Sequence, residues 1–319
     1  MQKPPPGTSA HDQLDVVVIG EALIDIVNTP EGSISYPGGS PANVAYGLGR
    51  LGVSTGLLTA IGEDDHGNAI ANHLQSAGVR LLPGSTSLER TATATATLAA
   101  DGSASYVFDI AWELAPVAPA MIPKVLHTGS IATFLAPGAS TVRSLLEQGH
   151  KSCLVTYDPN IRPALLGSHA EAKSIFEDLL PLTDVVKLSD EDAHWLYPTS
   201  SPDEVTSRLL AQGARLAVIT LGADGALLAT QSAKFNIPSV KTEVADTIGA
   251  GDSYMSALIF GLLAEGEEGF APGALESIGQ TASMAAAITV SRSGANPPTV
   301  SELQARLGMS LSDPLPVAP

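Results

Sequence analysis

Val125-Leu-His-Thr128, Cys153-Leu-Val-Thr-Tyr157, Val185-Val-Lys-Leu188 and Leu216-Ala-Val-Ile-Thr220 are short apolar runs at regular spacing. Between and after them, 140–148, 170–180, 190–197 and 203–212 read as helices. Buried strands alternating with helices predict a doubly wound, mostly parallel α/β sheet flanked by helices. Working outward, Asp15-Val-Val-Val-Ile-Gly20 reads as another buried strand. Gly38-Gly-Ser-Pro-Ala-Asn43 reads as a turn into a helix that runs to about Leu51, with Ser40 as its cap and Pro41 in its first turn. A strand at 55–61 and a helix at 65–76 follow. On the C-terminal side, 226–230 and 234–237 read as a hairpin. After it come a Gly-rich turn at 249–251, a helix to about Ala264 and a last helix over 274–291.

Residues 90–110 break this rhythm. Thr91, Thr93, Thr95 and Thr97 alternate with Ala92, Ala94 and Ala96, Asp101-Gly102 makes a turn, and 103–110 returns as a strand. Such a hairpin, polar on one face and small on the other, suits an open sheet that covers something. No linker interrupts the chain, so 1–319 reads as one domain with a small inserted β-sheet lid. The ends, 1–13 and 310–319, read as frayed.

The chain of 319 residues carries 33 acidic against 16 basic residues, a net charge of −17. With 44% hydrophobic and 15% charged residues it has the material for a large core and is no disordered acidic tail. The negative balance argues against nucleic-acid partners, which need a basic footprint, and against an anionic membrane surface. One cysteine, Cys153, rules out an internal disulfide framework. The polar, Pro-rich start resembles no export signal. The cytoplasm is the expected compartment.

Chemistry concentrates at Asp246-Thr-Ile-Gly-Ala-Gly-Asp252, followed directly by an apolar helix. Small residues at 249–251 let the backbone turn tightly and expose N–H groups, and the helix start adds its dipole. Asp252 stands at that anion cradle as a base for an alcohol proton, or as a plain helix cap. Gly20-Glu-Ala-Leu-Ile-Asp25, Asp158-Pro-Asn-Ile-Arg162 and Thr220-Leu-Gly-Ala-Asp-Gly225 follow predicted strands, where open α/β sheets bind ligands. Asp25, Asn43, Asn160 and Arg162 offer the acceptors and donors that a polyol needs. Each also has a plain reading as turn, helix-start or ion-pair residue.

These motifs resemble those of the ribokinase-like carbohydrate kinases, over nearly the whole chain from Val16 to about Pro298. The Asp-Thr-x-Gly-Ala-Gly-Asp stretch at 246–252 carries the resemblance, supported by Gly-Gly-x-x-x-Asn at 38–43 and Gly-x-Asp-x-x-Gly at 62–67. It implies an ATP-dependent sugar kinase whose lid, near 31–38 and 88–113, closes over the sugar. It implies Asp252 as base, Gly249, Ala250 and Gly251 as anion hole, and Asp25, Gly38, Gly39, Asn43, Asn160 and Arg162 at the sugar. It puts Lys187, Ser189, Thr220, Gly222 and Gly225 at ATP. Asp192 stands where relatives organise Mg²⁺ through water, or else serves the capped start of its helix. Asp246 and Ile248 match a monovalent-cation loop, although Pro298 stands where a serine often helps. The opening motif is most similar to fructokinases, which makes fructose the expected acceptor. The 158–162 motif also suits a 2-keto-3-deoxygluconate kinase, and another small-sugar or nucleoside kinase stays open. A catalytically silent sugar-binding regulator is the reading from another class. A homodimer through the lid edges is a further expectation.

Other signals point nowhere specific. Gly47-Leu-Gly-Arg-Leu-Gly52 follows a helix, the wrong context for a dinucleotide fingerprint. The histidines show no metal spacing. His127 reads as a packed residue or a pocket wall, and Trp112 lies on a sugar face or in ordinary packing.

Overall fold

The computed structural model describes residues 14–29, 32–98, 104–115 and 122–308. The two ends, the Asp101-Gly102 turn and the start of the first lid segment lie outside or partly outside them. In chain order the elements are β1 (Val16–Ile19), β2 (Leu23–Thr29), β3 (Gly32–Gly38), α1 (Ser40–Arg50), β4 (Thr55–Leu58), β5 (Ile61–Gly62), α2 (Asp65–Ser76), β6 (Arg80–Leu81), β7 (Thr86–Leu88), β8 (Thr93–Leu98) and β9 (Ala104–Asp109). Then follow β10 (Val125–Gly129), α3 (Gly138–Gly149), β11 (Leu154–Asp158), α4 (His169–Leu179), β12 (Val185–Ser189), α5 (Asp190–Leu196), α6 (Pro202–Ala211), β13 (Leu216–Thr220), β14 (Ala226–Ala229), β15 (Lys234–Ile237), α7 (Ala250–Glu265), α8 (Pro272–Val290) and α9 (Val300–Arg306).

The main sheet has the order β15-β14-β13-β12-β11-β10-β1-β4-β6, parallel except for β14 and β15. Because its strands are covered on both faces, successive side chains enter two different cores. Val16, Val18, Leu216 and Val218 pack with α1, α7 and α8. Val186, Leu188, Ala217 and Ile219 pack with α3 to α6. Each such fully buried aliphatic side chain contributes on the order of 1.5–3 kcal/mol. The chain leaves β1 toward β4 and β6, then returns to its other side at β10. Between β1 and β10 the direction of winding reverses, and a crevice opens beyond the strand ends there.

α7 is apolar all round because α1 and α8 both pack on it. It starts at Gly249, whose left-handed φ of 74° would drive a side chain into Ala295. α1 corrects the expected cap. Gly39, at φ 99°, is the capping position, and Ser40 lies inside the helix with no capping hydrogen bond. A Cβ on Gly39 would come within 2.6 Å of the Glu21 carbonyl, so only glycine fits.

The lid is a four-stranded sheet of order β3-β2-β8-β9. The hairpin is present as β8 and β9 in antiparallel register, and β3 covers the expected first segment. β2 is an addition, since in sequence 20–25 reads only as a motif that follows the first strand. It pairs with β3 antiparallel and with β8 parallel, which puts Asp25 on a lid strand. Asp64 ties the lid's base to α2: it caps the helix at Gly67 N and accepts from both the amide and the hydroxyl of Thr91. That gives the Gly-x-Asp-x-x-Gly stretch a bracing role. Among the described residues no helix is long and apolar enough to cross a membrane.

Candidate active site

A cleft of about 670 Å³ lies over the ends of β1, β10, β11, β12 and β13, beneath the lid. Asp252, in the first turn of α7, is buried in its floor at 8% exposure. Ser40 Oγ donates to Asp252 Oδ1 at 2.6 Å, and Asn43 Nδ2 donates to Oδ2 at 2.9 Å. Both donors come from α1, so the packing of α1 on α7 sets the carboxylate. Burial pushes the Asp252 carboxyl above its ordinary value, while the Ser40 and Asn43 hydrogen bonds oppose that rise. The rest of the cradle is the backbone at 249–251. Gly249 and Gly251 face this cleft, and Ala250 and Gly251 face an adjoining pocket of about 810 Å³. Thr220 and Gly222 line both cavities, and Gly225 lines the second. The cradle therefore stands between two cavities, with the base on one side.

Lys187 is buried on β12, and its Nζ donates to Asp158 Oδ2 at 2.6 Å. Burial alone would lower the ammonium's pKa, but the Asp158 carboxylate outweighs it and holds Lys187 above its ordinary value. A Cβ on Gly251 would lie 3.4 Å from Lys187 Nζ, so this charge sits beside the cradle in the cleft wall. The other oxygen, Asp158 Oδ1, is buried with no hydrogen-bond partner.

On the lid side, Asp25 is half-buried and raised to about 6 by burial, with Arg162 opposing the rise and Asp252 adding to it. Gly38 leaves room for the Asp25 carboxylate, which a Cβ there would strike. Ala94 and Phe108, paired across β8 and β9, also line the cleft. Asn160 takes a left-handed φ of 38°, which asparagine tolerates, and lines the cleft beside exposed Arg162. The Arg162 guanidinium donates to the Ile161 carbonyl at 3.0 Å.

Asp192 is tied on both oxygens: Oδ1 accepts from Ile161 N at 2.8 Å and Oδ2 from Ser189 N at 3.1 Å. With Ser189 it forms a capping box for α5. Asp246 accepts from Ile248 N at 3.0 Å and Gly294 N at 2.9 Å, which joins the loop before α7 to the segment after α8. No cluster of three or more His, Cys, Asp or Glu that could hold a metal ion occurs among the described residues. Trp112 is buried with Nε1 donating to the Ala132 carbonyl, so it packs rather than facing the cleft. His127 is buried against Thr156 Oγ1 and pushed down to about 3 by burial, again a packed residue.

Sequence reading brought together Asp25, Gly39, Asn43, Asn160, Arg162, Lys187, Ser189, Thr220, Gly222, Gly249, Gly251 and Asp252, all of which line the cleft. It missed three residues. Ser40 reads locally as a cap, and Glu21 and Asp158 lie inside the 20–25 and 158–162 motifs with no local sign of a role.

The sequence profile described as "pfkB family carbohydrate kinase" matches residues 13–302. The chain is 31% identical to a fructokinase of Rhizobium leguminosarum bv. trifolii over 259 residues, 77% of this chain and 79% of that protein. A Vibrio cholerae O395 fructokinase double mutant, in a form with fructose, ADP and potassium ion bound, superposes with a TM-score of 0.79 at 25% identity, covering 92% of this chain and 98% of that one. An aminoimidazole riboside kinase from Salmonella enterica, complexed with aminoimidazole riboside and an ATP analogue, gives a TM-score of 0.78 at 26% identity, covering 92% and 99%.

Proposed function

The chain belongs to the pfkB family of carbohydrate kinases, and from that premise we propose that it transfers the γ-phosphoryl group of ATP to a primary hydroxyl of a ketose, fructose in the first place. The observation that carries this reading is Asp252, buried and fixed by Ser40 and Asn43 at the junction of the lid-covered cleft and the second pocket. The sugar lies between Asp25 on the lid and Asp252 on the floor, with Gly38, Gly39, Asn43, Asn160 and Arg162 around it. Its hydroxyl gives its proton to Asp252 as the oxygen attacks in line. The 249–251 amides receive the charge of the transferred group, with Lys187 beside them. The nucleoside occupies the second pocket past Thr220, Gly222 and Gly225. Lid closure keeps water, a competing acceptor, away from the phosphoryl group.

Among the described residues no three acidic, His or Cys side chains gather to hold a metal ion, and a magnesium ion would arrive on the nucleotide phosphates and neutralise part of their charge. Asp158 Oδ1, buried and without a partner, fits a water of such an ion. Asp192 reaches one only beside its two amide donors. Asp246 and Ile248 remain the place for a monovalent cation, at a loop already closed onto Gly294.

A panel of sugars assayed by ADP production tests the reading. Turnover of fructose without 2-keto-3-deoxygluconate is expected; the reverse would make Arg162 a carboxylate partner. Turnover of a riboside alone would move the substrate class to nucleosides. Saturable sugar binding without any ADP would leave a regulator. A pH dependence follows from Asp25, which accepts sugar hydroxyls as a carboxylate. Fructose affinity, measured by calorimetry without ATP, is expected to weaken as pH falls through about 6. Asp25→Asn should bind weakly at every pH and remove that dependence; an unaltered slope would take Asp25 out of the sugar site.

The same reading includes a cytoplasmic location and a homodimer through the lid. Ile34, Tyr36 and Val107, on the edge strands β3 and β9, are exposed apolar residues. Light scattering is expected to give twice the chain mass, and a clean monomer would remove the dimer.

A further inference from the structure

Glu21 lies two residues past the end of β1 and is 4% exposed, yet it lines the cleft. Its Oε2 accepts from Ala132 N at 3.2 Å, and the Ser130 hydroxyl also bonds to its carboxyl. Those two partners are the first and third residues of the short 3-10 turn Ser130–Thr133 at the end of β10. Ser130 enters the turn in the left-handed region, at φ 52°. For a residue with a Cβ this conformation must be held by its surroundings. Ser130 and Ile131 both line the cleft. The Glu21 backbone also packs against Gly39, another lining residue, since its carbonyl would meet a Cβ placed there.

We propose that Glu21 is a positioning residue of the acceptor site, whose carboxyl clamps the Ser130–Thr133 turn to the end of β1 and so fixes the wall formed by Ser130 and Ile131. Its consequence for sugar binding rests on the kinase reading above; the clamp itself does not.

The charges around Glu21 set the conditions under which the clamp works. Asp252 on α7 is the charged group that acts on it, and raises it. Asp25 on β2, Asp158 on β11, Lys187 on β12, Asp192 on α5 and Arg162 share the cleft. Burial pushes Glu21 up to about 8, so it keeps its proton at neutral pH. A protonated carboxyl accepts from the turn and still has a proton to donate. Above that pH it adds a second buried negative charge beside Asp252, against an anionic phosphoryl donor.

Glu21→Gln keeps an acceptor oxygen and cannot ionise, whereas Glu21→Ala removes the clamp. Hydrogen exchange at the Ala132 amide, read by NMR, is expected to speed up in Glu21→Ala and to stay near the wild-type rate in Glu21→Gln. With fructose as probe, Glu21→Ala should raise KM about tenfold with a much smaller change in kcat. Glu21→Gln should recover most of that loss. Wild-type kcat/KM should fall as pH rises through about 8, and the fall should be absent in Glu21→Gln. Unchanged Ala132 protection in Glu21→Ala would overturn the proposal. So would equal impairment of both variants with the wild-type pH profile. If Glu21→Ala does not fold, the pH profile of Glu21→Gln decides alone. A wild-type protein that turns over no sugar would defeat the kinase reading and leave the exchange experiment to judge the clamp.

Discussion

Asp252→Asn is expected to lower kcat by at least about 10²-fold, the usual worth of a positioned base and equal to about 2.7 kcal/mol of barrier. The substitution preserves shape and removes the proton acceptor. Its structural cost is bounded by two opposing effects. Ser40 Oγ and Asn43 Nδ2 each donate to one carboxylate oxygen. An amide presents one oxygen and one NH₂; the oxygen keeps the Asn43 donor and the Ser40 hydroxyl turns to accept from the NH₂, so the cost is a charge-assisted hydrogen bond exchanged for a neutral one. Against this, a neutral side chain escapes the burial penalty that raises Asp252. The net stability change should therefore be small, and fructose KM should move less than about threefold. Losing kcat while keeping KM is the signature of an interaction made in the transition state. Steady-state kinetics beside thermal unfolding checks it. Turnover within a few-fold of wild type would remove Asp252 from the proton transfer.

The parallel core was legible because its strands are buried on both faces and read as unbroken apolar runs. Leu216–Thr220 has the same limits in sequence and structure. α7 was legible for a related reason, since a helix without a polar face signals burial. β2 was not. It begins only three residues after β1 ends, and its partner β8 lies some 70 residues on, so nothing local marks where one strand stops and a lid strand starts. Ser40 shows the same limit at one side chain. A serine before proline at a helix start is a good local cap, but Asp252, 212 residues away, takes its hydroxyl. Glu21 and Asp158 lie in the 20–25 and 158–162 motifs, yet their burial exists only once β1, β10, β11 and β12 lie side by side. Local rules thus found the central strands, their helices and most of the cleft, but not β2 or the short elements β6, β7 and α9. What else they missed are contacts that form only across the sheet.

Lys187→Met should show how a chain of net charge −17 handles an anionic donor. The ion pair of Lys187 with Asp158 is 3% exposed on both sides. Removing the cation leaves Asp158 buried without its partner, and breaking such a pair from one side costs about 3–5 kcal/mol. Asp158 Oδ1 already lacks a partner, so nothing nearby replaces the ammonium. The single variant should unfold at clearly lower temperature. The double variant Lys187→Met, Asp158→Asn buries no net charge there and should recover a good part of that stability. Activity should not return with it, because the charge beside the cradle, 3.4 Å from a Cβ placed on Gly251, is gone in both, and the double variant also loses the Asp158 carboxylate offered to the magnesium-bound water. ATP turnover low in both variants, with unfolding midpoints far apart, separates the two roles of Lys187. Equal midpoints would mean that the pair does not hold the fold, and recovered turnover in the double variant would mean that Lys187 matters only to Asp158. The expected split has a physical reason. Surface charge is screened within about 8 Å at physiological salt. A buried ammonium beside the 249–251 backbone acts at contact distance in a low dielectric, where one cation outweighs a distant acidic surface.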